Sequence, residues 1–229
     1  SGETIDYGPC AFMDQYHPKT VFSSIDKLGR YAYSNQPPIT KWNLTRFAEC
    51  LIPLIDKNED TAIKIATDVI DNFQNIYEKK WLNMMRDKLG LFGEDKNDRK
   101  LIDDLLNWME KNKIDYTNIF CHLMDIKIDD NTYKDKIFLT WFDEWKKRSQ
   151  LNNSSKEKQI ELMKKNNPIV VPRNHKVEEA LTEANNGSLE GMNKLNDILK
   201  NPYSNQEDIA EYQVPAPTTN EKYQTFCGT

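Results

Sequence analysis

Residues 44–55 read LTRFAECLIPLI. Their apolar positions Leu44, Phe47, Ala48, Leu51, Ile52 and Ile55 recur at i, i+3, i+4, i+7, i+8 and i+11. That period is the stripe of an amphipathic α-helix, and Pro53 is expected to bend or end it. The same period continues along the chain. Ala62, Ile65, Ala66, Val69, Phe73, Ile76 and Tyr77, then Trp81 and Met84, predict one long second helix. Asn58 or Asp60 would cap it and Gly90 or Gly93 would stop it. Leu101, Leu105, Trp108 and Met109 mark a third helix behind Asn97 or Asp98. Thr117 is placed to cap a short helix over 118–124. Ile137, Phe138, Trp141, Phe142 and Trp145 mark a strongly aromatic fifth helix. After a polar stretch at 150–158, a short helix is expected to run to Lys165 and end at Asn167-Pro168. Asn174 and Ser188 read as N-caps of two further helices, closed by Gly187 and Pro202. The fold class is therefore mainly α.

The first forty residues differ. They hold Gly2, Gly8 and Gly29 with Pro9, Pro18, Pro37 and Pro38. Residues 21–33, VFSSI-DKLG-RYAY, read as a small β-hairpin turning at 26–29. At the other end, the stretch from Tyr203 carries Pro215 and Pro217 with few apolar residues, and is expected to lie extended. The division that follows is 1–40, a helical body at 41–202, and a tail at 203–229.

Composition narrows the function. The 229 residues carry 31 Lys+Arg against 36 Asp+Glu, a net charge of −5. A nucleic-acid binder normally presents a basic face, so no nucleic-acid partner is expected. No run of about 18 apolar residues occurs, so no membrane partner is expected either. Eight glycines against ten prolines disfavour a β-rich fold or a glycine-rich phosphate loop in this chain. The four cysteines are widely spaced without a CxxC pair, which argues against zinc and for free thiols in a reducing, cytoplasmic setting. No signal-peptide pattern opens the chain, and the sequons at Asn43, Asn153 and Asn186 are read as chance.

Most candidate chemistry has a structural explanation. His175 with Glu178 and Glu179 has metal-binding spacing on a helix, but helix-dipole complementation explains the same residues. Lys79-Lys80, Lys146-Lys147-Arg148 and Lys164-Lys165 read as solvated lysines and arginine in later helical turns. Trp108, Trp141, Phe142 and Trp145 read as core, and Cys121-His122 as structural. What remains is Asp6-Tyr7-Gly8-Pro9. A carboxylate on a tight glycine loop suits a magnesium–nucleotide site, although Asp-x-Gly is also an ordinary turn.

The context of that tetrapeptide is more specific. Residues 4–14, TIDYGPCAFMD, closely resemble the metal-binding segment of the selenoprotein O family. Further blocks agree in order: Gly29-Arg30-Tyr31, Asn35-Gln36-Pro37, Trp42-Asn43-Leu44, Lys88-Leu89-Gly90-Leu91, Asp115-Tyr116-Thr117, residues 173–181 (RNHKVEEAL), Pro202-Tyr203 and residues 223–229 (YQTFCGT). The resemblance implies a kinase-like fold, with this chain forming part of a C-lobe plus a family-specific helical extension. Residues 1–40 would then hold the metal loop and an activation-segment analogue. It implies a protein adenylyltransferase that transfers AMP from ATP to protein hydroxyls, with ATP, Mg²⁺ and protein substrates as partners. Asp6 would be the magnesium- and nucleotide-binding carboxylate. The family's catalytic base and neighbouring metal-binding Asn lie before the segment that Ser1 begins, so no catalytic residue is carried over. The chain is read as the C-terminal part of a larger enzyme, inactive alone. Cys227 sits where some members carry selenocysteine and is the redox candidate. It would either pair with Cys10 or remain a free surface thiol. The rival readings are a non-catalytic helical interaction module and a conventional protein kinase fragment.

Overall fold

The structure is a computed structural model that describes residues 12–125, 131–151 and 155–217. It is mainly helical, as the periodicity requires. In chain order the helices are α1 (Gln36–Ile55), α2 (Glu59–Asp71), α3 (Phe73–Lys88), α4 (Asp98–Asn112), α5 (Asn118–Asp125), α6 (Lys136–Ser149), α7 (Lys156–Asn166), α8 (Asn174–Asn185), α9 (Glu190–Leu199) and the single turn α10 (Ala210–Gln213).

The expected long second helix is two. Asn72 ends α2 and begins α3, with its amide on the Ile70 carbonyl. Asparagine competes for backbone hydrogen bonds through its own side chain, which makes it a natural break. Asn58 does cap α2, accepting from the Thr61 amide. Asn174 is the first residue of α8, not its cap. Arg173 holds the N-cap position without a side-chain capping bond, because its guanidinium is engaged elsewhere. Likewise Leu189 precedes α9, although Ser188 Oγ still accepts from the Glu190 amide at 3.4 Å. Within the segment expected to lie extended, α10 forms and Tyr212 is buried.

The hairpin expected at 21–33 is absent, and no strand occurs among the described residues. An isolated antiparallel bridge joins Gln15 and Asp115. The reason is Asp26. Its two carboxylate oxygens accept from the amides of Arg30 and Tyr31, both at 2.8 Å. Those donors are thereby lost to any ladder, and the segment folds into successive turns. Gly29 takes a left-handed φ of +66° in this run.

The main core lies between α3, α4, α5, α6 and α7. Trp108, Phe138, Trp141, Phe142 and Trp145 are all buried there. Buried indoles need acceptors. Trp141 Nε1 donates to the Leu101 carbonyl at 2.8 Å, Trp145 Nε1 to the Leu89 carbonyl at 2.9 Å, and Trp108 Nε1 to Asp135 at 2.7 Å. A smaller core of Val170, Ala180, Leu195, Ile198, Ile209 and Tyr212 joins α8, α9 and α10, and Ile169 packs against both cores.

α3 ends in a Schellman arrangement. Gly90 N donates to the Asp87 carbonyl and Leu91 N to the Arg86 carbonyl, with Gly90 at φ +66°. A β-carbon at Gly90 would stand 2.6 Å from Gln159 Cγ and 2.9 Å from Met163 Cγ on α7. Gly90→Ala therefore combines a disfavoured dihedral with overpacking, and is expected to cost about 2 kcal/mol or more. Urea unfolding checks this, and a midpoint equal to wild type would refute it.

The expectation of a solvated Lys146-Lys147-Arg148 cluster fails at Arg148. That side chain is buried and binds Asp98 at the start of α4, which also binds Arg86 near the end of α3. Arg148 shares the apolar stripe of α6, at i+3 from Trp145 and i+7 from Trp141, so it points inward with them.

Candidate functional site

Asp6, Cys10 and Cys227 lie outside the described residues. The described chain begins six residues after Asp6, and its first segment is fastened firmly to the helical body. Tyr16 N donates to the Ile114 carbonyl at 2.8 Å, and Tyr116 N to the Asp14 carbonyl at 2.7 Å.

A buried guanidinium fixes the same junction. Arg173 Nη1 contacts Asp14 Oδ1 at 2.5 Å and Asp115 Oδ2 at 2.6 Å. Its Nη2 donates to Asp115 Oδ1, Asn118 Oδ1 and the Gln213 carbonyl. Only 1% of the Arg173 side chain is exposed. Asp115 does double duty, since Oδ1 also accepts from the Thr117 and Asn118 amides at the start of α5. Asp14 Oδ2 in turn accepts from the Ala216 amide. Arg173 thus gathers the segment after Asp6, the start of α5 and the end of α10, and Asp14 adds the stretch after α10. Burial opposes the charge on Arg173, but its two carboxylate partners raise its pKa beyond the ordinary arginine value.

Beside this junction lies a cleft of about 610 Å³, lined chiefly by Phe12, Phe22, Tyr31, Tyr33, Lys88 and Tyr116. Tyr16, Tyr33 and Tyr116 form an aromatic cluster, with Tyr16 and Tyr116 stacked at 5.8 Å between ring centroids. Burial first, then the neighbouring Tyr33, Glu110 and Asp103, push the Tyr16 phenol up to about 12. Lys88 Nζ sits 4.2 Å from the centroid of Phe120 and 5.6 Å from that of Tyr116. It donates to the Asn166 carbonyl at 3.4 Å. No salt bridge to Lys88 is found among the described residues, and burial pulls its pKa down to about 8.

That shift has a stability consequence. The unfolded lysine holds its proton to about 10.5, while the folded one releases it near 8. Between those values the unfolded state binds more protons, so stability contributed through Lys88 rises with pH. Above about 10 the tyrosines work the other way, because unfolded phenols ionise before the buried ones. Comparison of wild type with Lys88→Met by urea unfolding is therefore expected to shift in favour of wild type between about pH 7.5 and 9.5. A stability difference that does not move with pH would show that Lys88 does not titrate in that window.

The other sequence candidates are dispersed. Trp108, Trp141, Phe142 and Trp145 are buried core residues. His175 lies in the first turn of α8, and Glu179 pairs with Lys176 at 2.7 Å. No group of three or more His, Cys, Asp and Glu side chains placed to hold a metal occurs among the described residues. Cys121 Sγ contacts the Pro168 carbonyl, and His122 contacts the Tyr133 hydroxyl.

The sequence blocks on this scaffold have a counterpart among known proteins. A family model described as "Protein adenylyltransferase SelO" matches residues 1–200. The chain belongs to the SelO family. A "Protein nucleotidyltransferase YdiU" of Pelagibacter ubique (strain HTCC1062) is 62% identical over the whole of this chain, which covers 48% of that protein. The YdiU proteins of Bacillus thuringiensis (strain Al Hakam) and Nitrosococcus oceani are 50% and 46% identical, again over the whole chain and 47% of their own length. The chain therefore spans about half the length of the curated relatives it matches. The SelO match takes in Asp6, Asp14, Lys88, Asp115 and Arg173, whereas Gln213 lies beyond it.

Proposed function

We propose that this chain is part of a protein adenylyltransferase that moves AMP from ATP to the hydroxyl side chains of proteins. The observation that carries this reading is the SelO match over residues 1–200, which includes the Asp6–Asp14 block. In this reading Asp6 is the residue that would hold Mg²⁺, and the metal when bound neutralises charge on the triphosphate. The helical body acts by positioning. Arg173 and the backbone bonds of Asp14 and Tyr16 hold the polypeptide about eight to ten residues beyond Asp6 in one place. A metal ligand on a loop needs such a rigid support to keep its geometry. Cys227 enters as the redox-active thiol, and the setting is a reducing cytoplasm.

The test uses labelled ATP. A full-length polypeptide carrying this sequence is expected to pass label from α-labelled ATP, but not from γ-labelled ATP, to a protein acceptor. Asp6→Asn is expected to lower that transfer by about 100-fold or more with an unchanged melting temperature. Transfer of the γ label would make the parent a conventional kinase and overturn the reading. The chain alone is expected to show no micromolar binding of Mg-ATP by calorimetry.

A further inference from the structure

Helix α1 is twenty residues long, yet none of them is buried. α2 buries Ala62 alone. Ala48, Leu51, Ile52 and Ile55 of the expected stripes are half-buried, but Leu44, Phe47, Ile65 and Val69 of the same stripes are in solvent. Phe47 is 60% exposed, Leu54 82% and Val69 66%, and Trp42, Ile65 and Ile76 are exposed with them. Phe47 and Leu54 are seven residues apart on one face of α1, and Ile65 and Val69 are four apart on one face of α2. Single exposed apolar residues are ordinary on a protein surface, but rows of them on successive helices mark a contact surface. Helices of this length are marginal in water without packing of their apolar face. α1 and α2 do pair with each other along a groove lined by Thr45, Ala48, Ile52, Ala66 and Ile70. Phe47, Leu54, Ile65 and Val69 do not line it.

What covers these rows is indicated by length. The relatives match this chain end to end and carry about as much polypeptide again. We propose that the exposed apolar face of α1 and α2 is the seat of the remaining half of the family's polypeptide, which lays an apolar face of its own across Phe47, Leu54 and Val69. The seat is continuous with the segment that follows Asp6. Arg30 stacks its guanidinium 4.7 Å from the ring centroid of Trp42, so a cover that reaches the start of α1 also reaches that segment. The proposal rests on membership of the family and not on AMP transfer.

Hydrogen exchange read by mass spectrometry tests it, comparing this chain with the native full-length Pelagibacter ubique protein. Peptides matching residues 36–71 are expected to exchange about 100-fold more slowly in the full-length protein. Equal rates would overturn the proposal. Sedimentation of this chain over a range of concentrations is run beside it. Dimerisation that slows exchange in the same peptides would make a second copy the occupant, and would also overturn it. Glutamate substitution gives a further readout. Phe47→Glu with Val69→Glu is expected to leave the melting temperature of this chain within about 2 °C, because both sites are in solvent. Glutamate at the two aligned positions of the full-length relative is expected to lower its melting temperature by about 5 °C or more. A small effect in both proteins would count against a buried seat. None of these readouts involves nucleotide, so they separate failure of the seat from failure of the proposed chemistry.

Discussion

Replacing Arg173 with alanine is expected to cost about 3–5 kcal/mol, a large share of the stability of a domain this size. The substitution removes one side chain but strands several groups. Asp14 and Asp115 would face each other without the cation that contacts both. Asn118 Oδ1 would lose its guanidinium donor, and the Gln213 carbonyl would lose one of its two donors. Carboxylates left without their cation in a buried site are the costly outcome, more than the lost attraction itself. Lysine is expected to restore little. A single ammonium cannot reproduce the two-pronged geometry by which Nη1 and Nη2 both bind Asp115. The effect should also be local. Amides at 12–16 and 209–217 should exchange faster in Arg173→Lys than in wild type, while those of α4 and α6 should not. An unfolding midpoint within about 0.5 kcal/mol of wild type for Arg173→Ala would show that the cluster is not a structural centre.

The residues at that centre were only partly legible. The apolar period of 3.6 located most of the helices, including the aromatic α6, because burial of a stripe leaves a repeating mark. The period did not show that Asn72 would split a continuous stripe, since one residue's competition for backbone bonds barely disturbs the pattern. Strand-like composition around a turn at 26–29 reads as a hairpin at 21–33. The deciding feature, Asp26 capturing two amides, is a contact of four and five residues' separation that alternation does not register. Charge at an inward position is the sequence signal that marks these residues. Arg148 follows Trp141 and Trp145 on the same face. Asp98 precedes Leu101 and Leu105 at i+3 and i+7. Arg173 comes two and three residues after the buried Val171 and Val170. A charged residue in register with a buried stripe needs a partner of opposite sign, and these three belong to the two buried ion clusters. Which partner each takes is long-range, 50 residues for Arg148 and Asp98, and no local pattern encodes it. The candidate site was legible mainly through family resemblance, since Asp-Tyr-Gly alone is also an ordinary turn. The exposed face of α1 and α2 shows the limit of periodicity from the other side. A stripe tells that something packs there, not whether the same chain supplies it.

Asp98 carries the second large effect. Its side chain is fully shielded from solvent and sits between two arginines, with Arg86 Nε on Oδ2 and Arg148 Nε on Oδ1, each at 2.6 Å. The Asp95 amide and Arg148 Nη2 also donate to Oδ2, at 2.9 and 3.1 Å. Three helix ends meet at this carboxylate: the end of α3, the start of α4 and the end of α6. Asp98→Ala is expected to destabilise by about 3–5 kcal/mol at neutral pH, because two buried guanidinium groups lose a shared carboxylate at once. Arg86 keeps Asn83 Oδ1 and a looser pairing with the exposed Glu94 at 3.6 Å. Arg148 keeps the Phe92 and Gly93 carbonyls, which limits the loss on its side. The pH dependence identifies the charge as the cause. Burial works against ionisation of Asp98, but the Arg148 hydrogen bonds, the Asp95 amide and Arg86 together hold its carboxyl below the usual 3.8. A depressed folded pKa contributes stability above the unfolded value and loses it as pH falls through the folded one. The difference between wild type and Asp98→Ala should therefore stay level from about pH 7 to 5 and close below about pH 4. Asp98→Asn keeps the shape and one acceptor, so it should fall between the two at neutral pH and show no such closure relative to Asp98→Ala. A difference that persists unchanged to about pH 3 would assign the cost to lost packing, and the ion cluster would then be incidental to the joint between α3, α4 and α6.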